Sequence, residues 1–349
     1  MTDTRAADDL VKNLVVHIGP AGDQIGGIET VLRTYRDLPW ENFTVDVINS
    51  CVRGAFGKQA VLLVTGAVEL ARLRRTHGRT TVHVHVSQRG AFVREGILVC
   101  LSALVGHRVY ITIHGSQFVL TSKAAGWRLL YRTVLNRARR VAVLNSEVSI
   151  AAKAIGVGPV VVLPNPGPVG RHPETLDAGQ SSPTVVFAGA VGHRKGVDVL
   201  LDAWQIVAAE MPHARLEIIG PVVDAAIGSR AAPYLLGPKN AEEVHAALSH
   251  ARVAVLPSRA EGMPMFLLEA LGMGRPLVVS DVGAMPVLAS KTGIVTPVGD
   301  STALAHALLE FLQDPARASA AGAEGLALYK ANYGVEVVER ALRNFYDEN

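Results

Sequence analysis

Cysteine is nearly missing from this chain: Cys51 and Cys100 are the only two, and they lie far apart. Such a pair sets neither a disulfide framework nor a zinc cluster. Aromatic residues are scarce at 5% of 349 positions while Gly and Ala are plentiful, the profile of an α/β protein rather than a disordered or fibrous one. Long apolar runs are absent as well. The longest, AVLLVTGAV and ILVCLSALVG, reach about half the length that spans a bilayer. The opening MTDTRAADDL is acidic and polar and lacks the apolar stretch of a signal peptide, so a cytoplasmic location is expected. No GxxxxGK[ST] occurs, which argues against a P-loop NTPase. The glycines of GPAGDQIGGIE do not have GxGxxG spacing, which disfavours a dinucleotide enzyme.

What is present is alternation. LVVHIG, FTVDVIN, TTVHVHV, RVYITIHG, RVAVLNS and VVVLPNP read as strands, with helical stretches such as Glu29 to Asp37 and Trp127 to Arg140 between them. A polar, Pro- and Gly-bearing segment, PVGRHPETLDAGQSSP, interrupts the series and reads as a linker. A second series follows: TVVFAGA, a helix from Gly196 to Met211, RLEIIGP, a helix from Ala241 to Ser249, VAVLPS and PLVVSD. Asp300 is placed to cap ALAHALLEFLQD, and VEVVERALRNFYDE is amphipathic. The pattern predicts two doubly wound α/β domains, over 1–170 and 184–332, joined by a linker at 171–183 and followed by a helix in 333–349. Ligands of such sheets bind beyond the carboxyl ends of the strands, so a central cleft between the domains is the expected site. The net charge of +3 is uneven: residues 1–170 hold 20 Lys plus Arg against 11 Asp plus Glu. A basic surface facing something anionic is implied, though no nucleic-acid partner is expected.

Three segments invite chemistry. Gly26 and Gly27 precede a helical pattern, where they let backbone N–H groups approach a ligand, or simply make a flexible loop. FAGAVGHRKGVDVLLDAW puts Arg194 and Lys195 just before a helix. Cations there oppose the helix dipole and ask for an anionic partner, unless the loop is merely exposed. EGMPMFLLEAL sets Glu261 in a loop and Glu269 inside the following helix. Carboxylates accept from sugar hydroxyls and a helix start suits phosphate; a solvated helix rim is the plain alternative.

Residues 258–276, SRAEGMPMFLLEALGMGRP, resemble the E-x7-E signature of retaining glycosyltransferases of family 4. GGIE near the start, HG at His114, SE at Ser146, LPN at Leu163 and the G-x5-KG turn ending at Gly196 resemble further blocks of that family, in its order, over nearly the whole chain. HVHVSQRGAFVREG resembles members that build bacterial exopolysaccharides and cell-envelope glycans.

The resemblance implies a GT-B fold, with the acceptor on the first domain, the nucleotide-sugar on the second, and the C-terminal helix crossing back to the first. It implies that Glu269 holds the nucleotide ribose, that Glu261 contacts donor-sugar hydroxyls, and that the backbone of Gly262, Met263, Pro264 and Met265 faces the diphosphate. Lys195 would neutralise the departing diphosphate, since the family uses no metal or other cofactor. His114 would lie near the transferred sugar, Gly26 and Gly27 in a loop closing over phosphate, Gly189 in the glycine-rich turn, and the base near Gly237. The implied reaction is same-face transfer of a hexose-type sugar from a UDP- or GDP-sugar to a glycan or lipid-linked acceptor. The leaving phosphate would accept the acceptor's proton. A sugar-nucleotide epimerase and a non-catalytic nucleotide-sugar-binding partner are the alternatives.

Two positions depart from the family pattern. Ala190 stands where Arg is common, and Arg194 is the candidate to supply the lost charge. Val287 stands where Glu is common, with an expected effect on packing. His83 and His85 share a strand face, but no further metal ligand sits at recognisable spacing, so structural roles are favoured. KAAGWRLLYRTVLNRARR, residues 123–140, holds six Lys or Arg and no acid. As an amphipathic helix it suits either an anionic membrane surface or core packing with a solvated basic face.

Overall fold

The Val- and Ile-rich runs of the first half form six parallel strands in the computed structural model. It describes residues 13–21, 26–38, 40, 43–51, 56–167 and 177–347. These strands are β1 (Asn13–Gly19), β2 (Phe43–Asn49), β3 (Thr81–Val86), β4 (Arg108–Ile113), β5 (Arg140–Val143) and β6 (Val160–Val162), in the order β2-β1-β3-β4-β5-β6. The second half supplies β7 (Thr184–Ala188), β8 (Arg215–Ile219), β9 (Leu235–Gly237), β10 (Val253–Leu256), β11 (Leu277–Ser280) and β12 (Gly293–Thr296). They too form a parallel sheet, in the order β12-β11-β10-β7-β8-β9. The chain divides into two units, Met1–Pro166 with Val338–Asn349, and Gly167–Val337. Residues 171–176 of the expected linker lie outside the described residues, as does the N-terminal MTDTRAADDL.

In unit 1 the two faces of the sheet differ in chemistry, because side chains alternate along each strand. One face carries Val82, Val84, Val86, Ile111 and Ile113 into an apolar core. The other carries His17, His83, His85, Tyr110 and Thr112, with His17 opposite His83 and His85 opposite Thr112 in the strand register. Tyr35, Phe345 and Tyr346 pack against that second face. The last two belong to the helix Val335–Asp347, most of which groups with unit 1.

The two longest apolar runs of the sequence lie in the helices Phe56–Thr76 and Gly90–Val105. Among the described residues no helix is long and apolar enough to cross a membrane. The basic stretch 123–140 is not one helix: the helix spans Ala125–Leu135 and Arg140 already opens β5. Tyr131, Val134 and Leu135 fill the core while Arg128 and Arg132 face outward. Of the apolar face, Trp127 and Leu130 are partly buried against that core, and Leu129 is exposed.

In unit 2 the strand order reverses between β7 and β10. Ligands of open α/β sheets gather at such a switch point, beyond the carboxyl ends of the strands. The loops leaving β7 and β10 are the glycine-rich turn and the SRAEGMP segment.

Candidate functional site

These two loops touch at a point where only glycine fits. Gly196 has φ +69°, and a Cβ there would come 1.9 Å from the carbonyl oxygen of Pro257. On the opposite side Gly283, φ +59°, would bring a Cβ to 2.3 Å from the Glu261 carbonyl oxygen. The loop 257–264 is therefore held between two glycines that allow close backbone approach.

Lys195 Nζ lies 2.7 Å from Glu261 Oε1, and both side chains are largely buried. The same oxygen accepts from Ser258 Oγ at 3.0 Å and from Arg194 Nη1 at 3.4 Å. Arg194 Nη1 also donates to the Ala260 carbonyl at 3.1 Å. So the anionic partner demanded by two cations at a helix start is Glu261 itself. Gly189 lies beside Lys195, whose Cε would be 3.4 Å from a Cβ built on the glycine. The Gly220 N–H donates to the Gly237 carbonyl at 2.9 Å, and the Gly189 N–H donates to the Ile219 carbonyl. The glycine-rich turn and the end of β9 are thereby neighbours.

Two residues without an assigned role in the sequence reading hold the loops in register. Arg259 forms a two-pronged ion pair with Asp198, at 2.8 and 2.7 Å, and donates to the His193 carbonyl at 2.7 Å. Asp198 sits in the first turn of the helix Val197–Glu210, where a carboxylate suits the helix dipole. Burial raises its pKa, but the Arg259 fork outweighs burial and holds the carboxyl below its ordinary range. The signal in the sequence is D in KGVD, an acid in a first helical turn, but nothing local names its partner 61 residues away.

The helix Met265–Gly272 is buried along its whole length, as its nearly uninterrupted apolar sequence requires. Pro264 stands at its N-cap rather than inside its first turn, and no side chain caps it. Glu269, the one charged residue in the helix, is 8% exposed. Among the described residues no hydrogen bond reaches its carboxylate, and burial pushes that carboxyl up to about 7. Val287 is 66% exposed, so the expected effect on packing has little basis there.

In unit 1, Gly26 precedes the helix Gly27–Asp37, and a Cβ at either Gly26 or Gly27 would meet nothing within 4 Å. Among the described residues, no neighbouring atoms force either position to be glycine. His114 follows β4, with Nε2 2.8 Å from Nδ1 of His85. His17 Nδ1 lies 2.8 Å from His85 Nε2. His83 bonds Tyr346 Oη through Nδ1 and Thr112 Oγ1 through Nε2, both at 2.7 Å. The third histidine missing from the reading of the strand pair is thus His17, brought from β1 by parallel register. Ligand atoms of His17, His83 and His85 all lie within 4.8 Å of one another. Burial lowers His17 and His114 to about 3, and burial plus the neighbouring imidazoles lowers His83 and His85 well below the ordinary histidine range.

Residues 182–314, which contain every unit 2 residue of this site, match the family model of group 1 glycosyl transferases. Unit 2 carries a group 1 glycosyltransferase domain. The chain as a whole has the GT-B fold. It is 30% identical over 178 residues to the lipopolysaccharide core biosynthesis mannosyltransferase LpsB of Rhizobium meliloti, covering 46% of this chain and 50% of that protein. It is 27% identical to the 2-deoxystreptamine N-acetyl-D-glucosaminyltransferase of Streptomyces fradiae, over 85% of this chain and 78% of that one. The match to LpsB thus spans half of that relative's length. Anabaena HepE, solved with UDP and glucose, superposes with a TM-score of 0.70 at 14% identity, over 96% of this chain and 99% of that one. The group 1 domain thus begins just before β7 and runs through the helix Ser301–Gln313.

Proposed function

We propose that the chain is a retaining, metal-independent glycosyltransferase of family 4. It moves a hexose-type sugar from a UDP- or GDP-sugar to a glycan or lipid-linked acceptor. The observation that carries the reading is Glu269: a buried carboxylate without a hydrogen-bond donor, on a helix whose start no side chain caps, in a group 1 domain. An isolated carboxylate is expensive to bury, and a ribose diol would supply the missing donors. The uncapped N–H groups of the same helix suit the diphosphate.

Lys195 then exchanges its bond to Glu261 for the leaving diphosphate, or bridges the two. Negative charge grows on the diphosphate as the glycosidic bond breaks, so a preorganised ammonium stabilises that state more than the ground state. Glu261, released from the pair, accepts from donor-sugar hydroxyls. The leaving phosphate takes the proton of the attacking acceptor hydroxyl, on the face it departs from. The HepE complex with UDP and glucose and the sugars named in its relatives support this ligand class.

The test is a panel of UDP- and GDP-sugars in a thermal-shift assay, followed by nucleotide release with and without glycan or lipid-linked acceptors. Binding of one donor raises the melting temperature, and release that depends on an acceptor identifies transfer. Acceptor-independent consumption would identify an epimerase instead, and no response to any nucleotide-sugar would overturn the reading.

A further inference from the structure

The polar face of the unit 1 sheet holds four imidazoles in sequence. Every ring nitrogen of His17, His83 and His85 is engaged: with each other, with His114, with Thr112 and with Tyr346. The longest contact is the 3.4 Å between Tyr346 Oη and His17 Nε2. Tyr346 is fixed in turn, for Tyr110 Oη donates to its carbonyl at 2.8 Å. No hydrogen bond to His114 Nδ1 occurs among the described residues, and His114 is less buried than the other three rings. A buried polar atom left unbonded costs about 1–3 kcal/mol, so a fully bonded cluster of this size is a constrained one.

We propose that Thr112, His83, Tyr346, His17, His85 and His114 form one proton-ordered chain of neutral groups, and that Tyr346 is a positioning residue that couples the tautomer of His83 to those of His17, His85 and His114. A neutral imidazole donates from one nitrogen and accepts at the other. If His17 donates from Nδ1 to His85 Nε2, then His85 must donate from Nδ1 to His114 Nε2. His114 is left with its proton on Nδ1. Tyr346 then donates to His17 Nε2 and accepts from His83 Nδ1, while Thr112 donates to His83 Nε2. The reverse order puts every proton on Nε2 and leaves His114 Nδ1 as an acceptor. Both orders hold the same number of protons, so they differ in direction and not in charge. All four rings therefore share one tautomer at any moment. The chain presents His114 Nδ1 as a defined donor or acceptor, without ionising it. Its existence stands on unit 1 alone. Only its use, orienting a sugar hydroxyl, rests on the transferase reading.

The same three histidines could instead be a metal site, since their ligand atoms cluster within 4.8 Å. The bonding of all six ring nitrogens favours the chain.

The experiment is nitrogen NMR of histidine-labelled full-length chain at neutral pH, without donor. The expected spectrum shows all four rings neutral and in the same tautomer. In Tyr346→Phe, His17, His85 and His114 keep a common tautomer, but His83 no longer follows them. Mixed tautomers among the four rings in the wild-type chain, or a protonated ring among them, would overturn the proposal. So would one equivalent of Co2+ that broadens the His17, His83 and His85 signals away. The wild-type spectrum decides the matter even if the variant does not fold. Because no nucleotide-sugar is present, its result is independent of whether the chain transfers sugar.

Discussion

Acidification should destabilise unit 1 well above the pH at which most proteins begin to fail. His17, His83 and His85 are at most 1% exposed and have lowered pKa values, so they stay neutral when folded. The unfolded chain, with ordinary histidines, binds protons below about 6.5. Stability is therefore lost as pH falls through that value, by about 1.4 kcal/mol per pH unit and ring. At pH 5 these three rings, together with His114, which burial lowers to about 3, oppose folding by about 8 kcal/mol. Glu95 acts in the opposite direction. Burial pushes its carboxyl up to about 7, so the folded chain takes up its proton first and regains about 2 kcal/mol between pH 7 and 5. The net loss is about 5–6 kcal/mol, a large share of the roughly 5–15 kcal/mol that holds a domain folded. Urea titrations at pH 7, 6 and 5 measure it directly. A Trp204→Phe background leaves Trp40 and Trp127, both in unit 1, as the fluorescent reporters. A urea midpoint that holds or rises on acidification would show that the rings accept protons in the folded state, and the reasoning would be wrong.

The remaining predictions concern unit 2. Glu269→Gln removes an unpaired buried charge, so the ligand-free melting temperature rises while UDP or GDP binds about tenfold more weakly, roughly 1.4 kcal/mol; unchanged nucleotide binding would remove Glu269 from the site. Lys195→Ala lowers turnover by about a hundredfold or more, the scale of one lost electrostatic stabiliser. Arg194→Ala, at an exposed and partly satisfied cation, has a smaller effect; normal turnover in that variant would mean Arg194 does not replace the charge absent at Ala190. Gly196→Ala combines a left-handed backbone with a clash against Pro257, so a fall in thermal stability, read by circular dichroism, is expected alongside lost nucleotide binding.

Much of the fold was legible because β-branched runs are unambiguous: FTVDVIN is β2 residue for residue. Asp300 does cap its helix, accepting from the Ala303 N–H at 2.9 Å. Two strands escaped notice, β9 because three residues carry no pattern and β12 because the four of GIVT carry hardly more. The helix Phe56–Thr76 was hidden by its own surface: Val61, Val64 and Val68 are about 60% exposed, which blurs the apolar stripe that marks an amphipathic helix. The helix Pro315–Asn332 is rich in Ala and Gly and has almost no polar and apolar sides. In the site, the local cue of two cations at a helix start was sound, but only tertiary structure could reveal Glu261 as their partner. The same holds for His17, whose place beside His83 depends on strand register across more than sixty residues.

The grouping of the helix beyond Val338 with unit 1 has a consequence for how the chain is made. Unit 2 is one continuous segment and can fold as soon as it leaves the ribosome, as domains commonly do. Unit 1 is synthesised first yet must wait, with its histidine face uncovered, until Phe345 and Tyr346 have emerged. The order of synthesis and the order of completion are reversed. A nascent chain halted short of residue 338 should hold a finished second unit and an open first one.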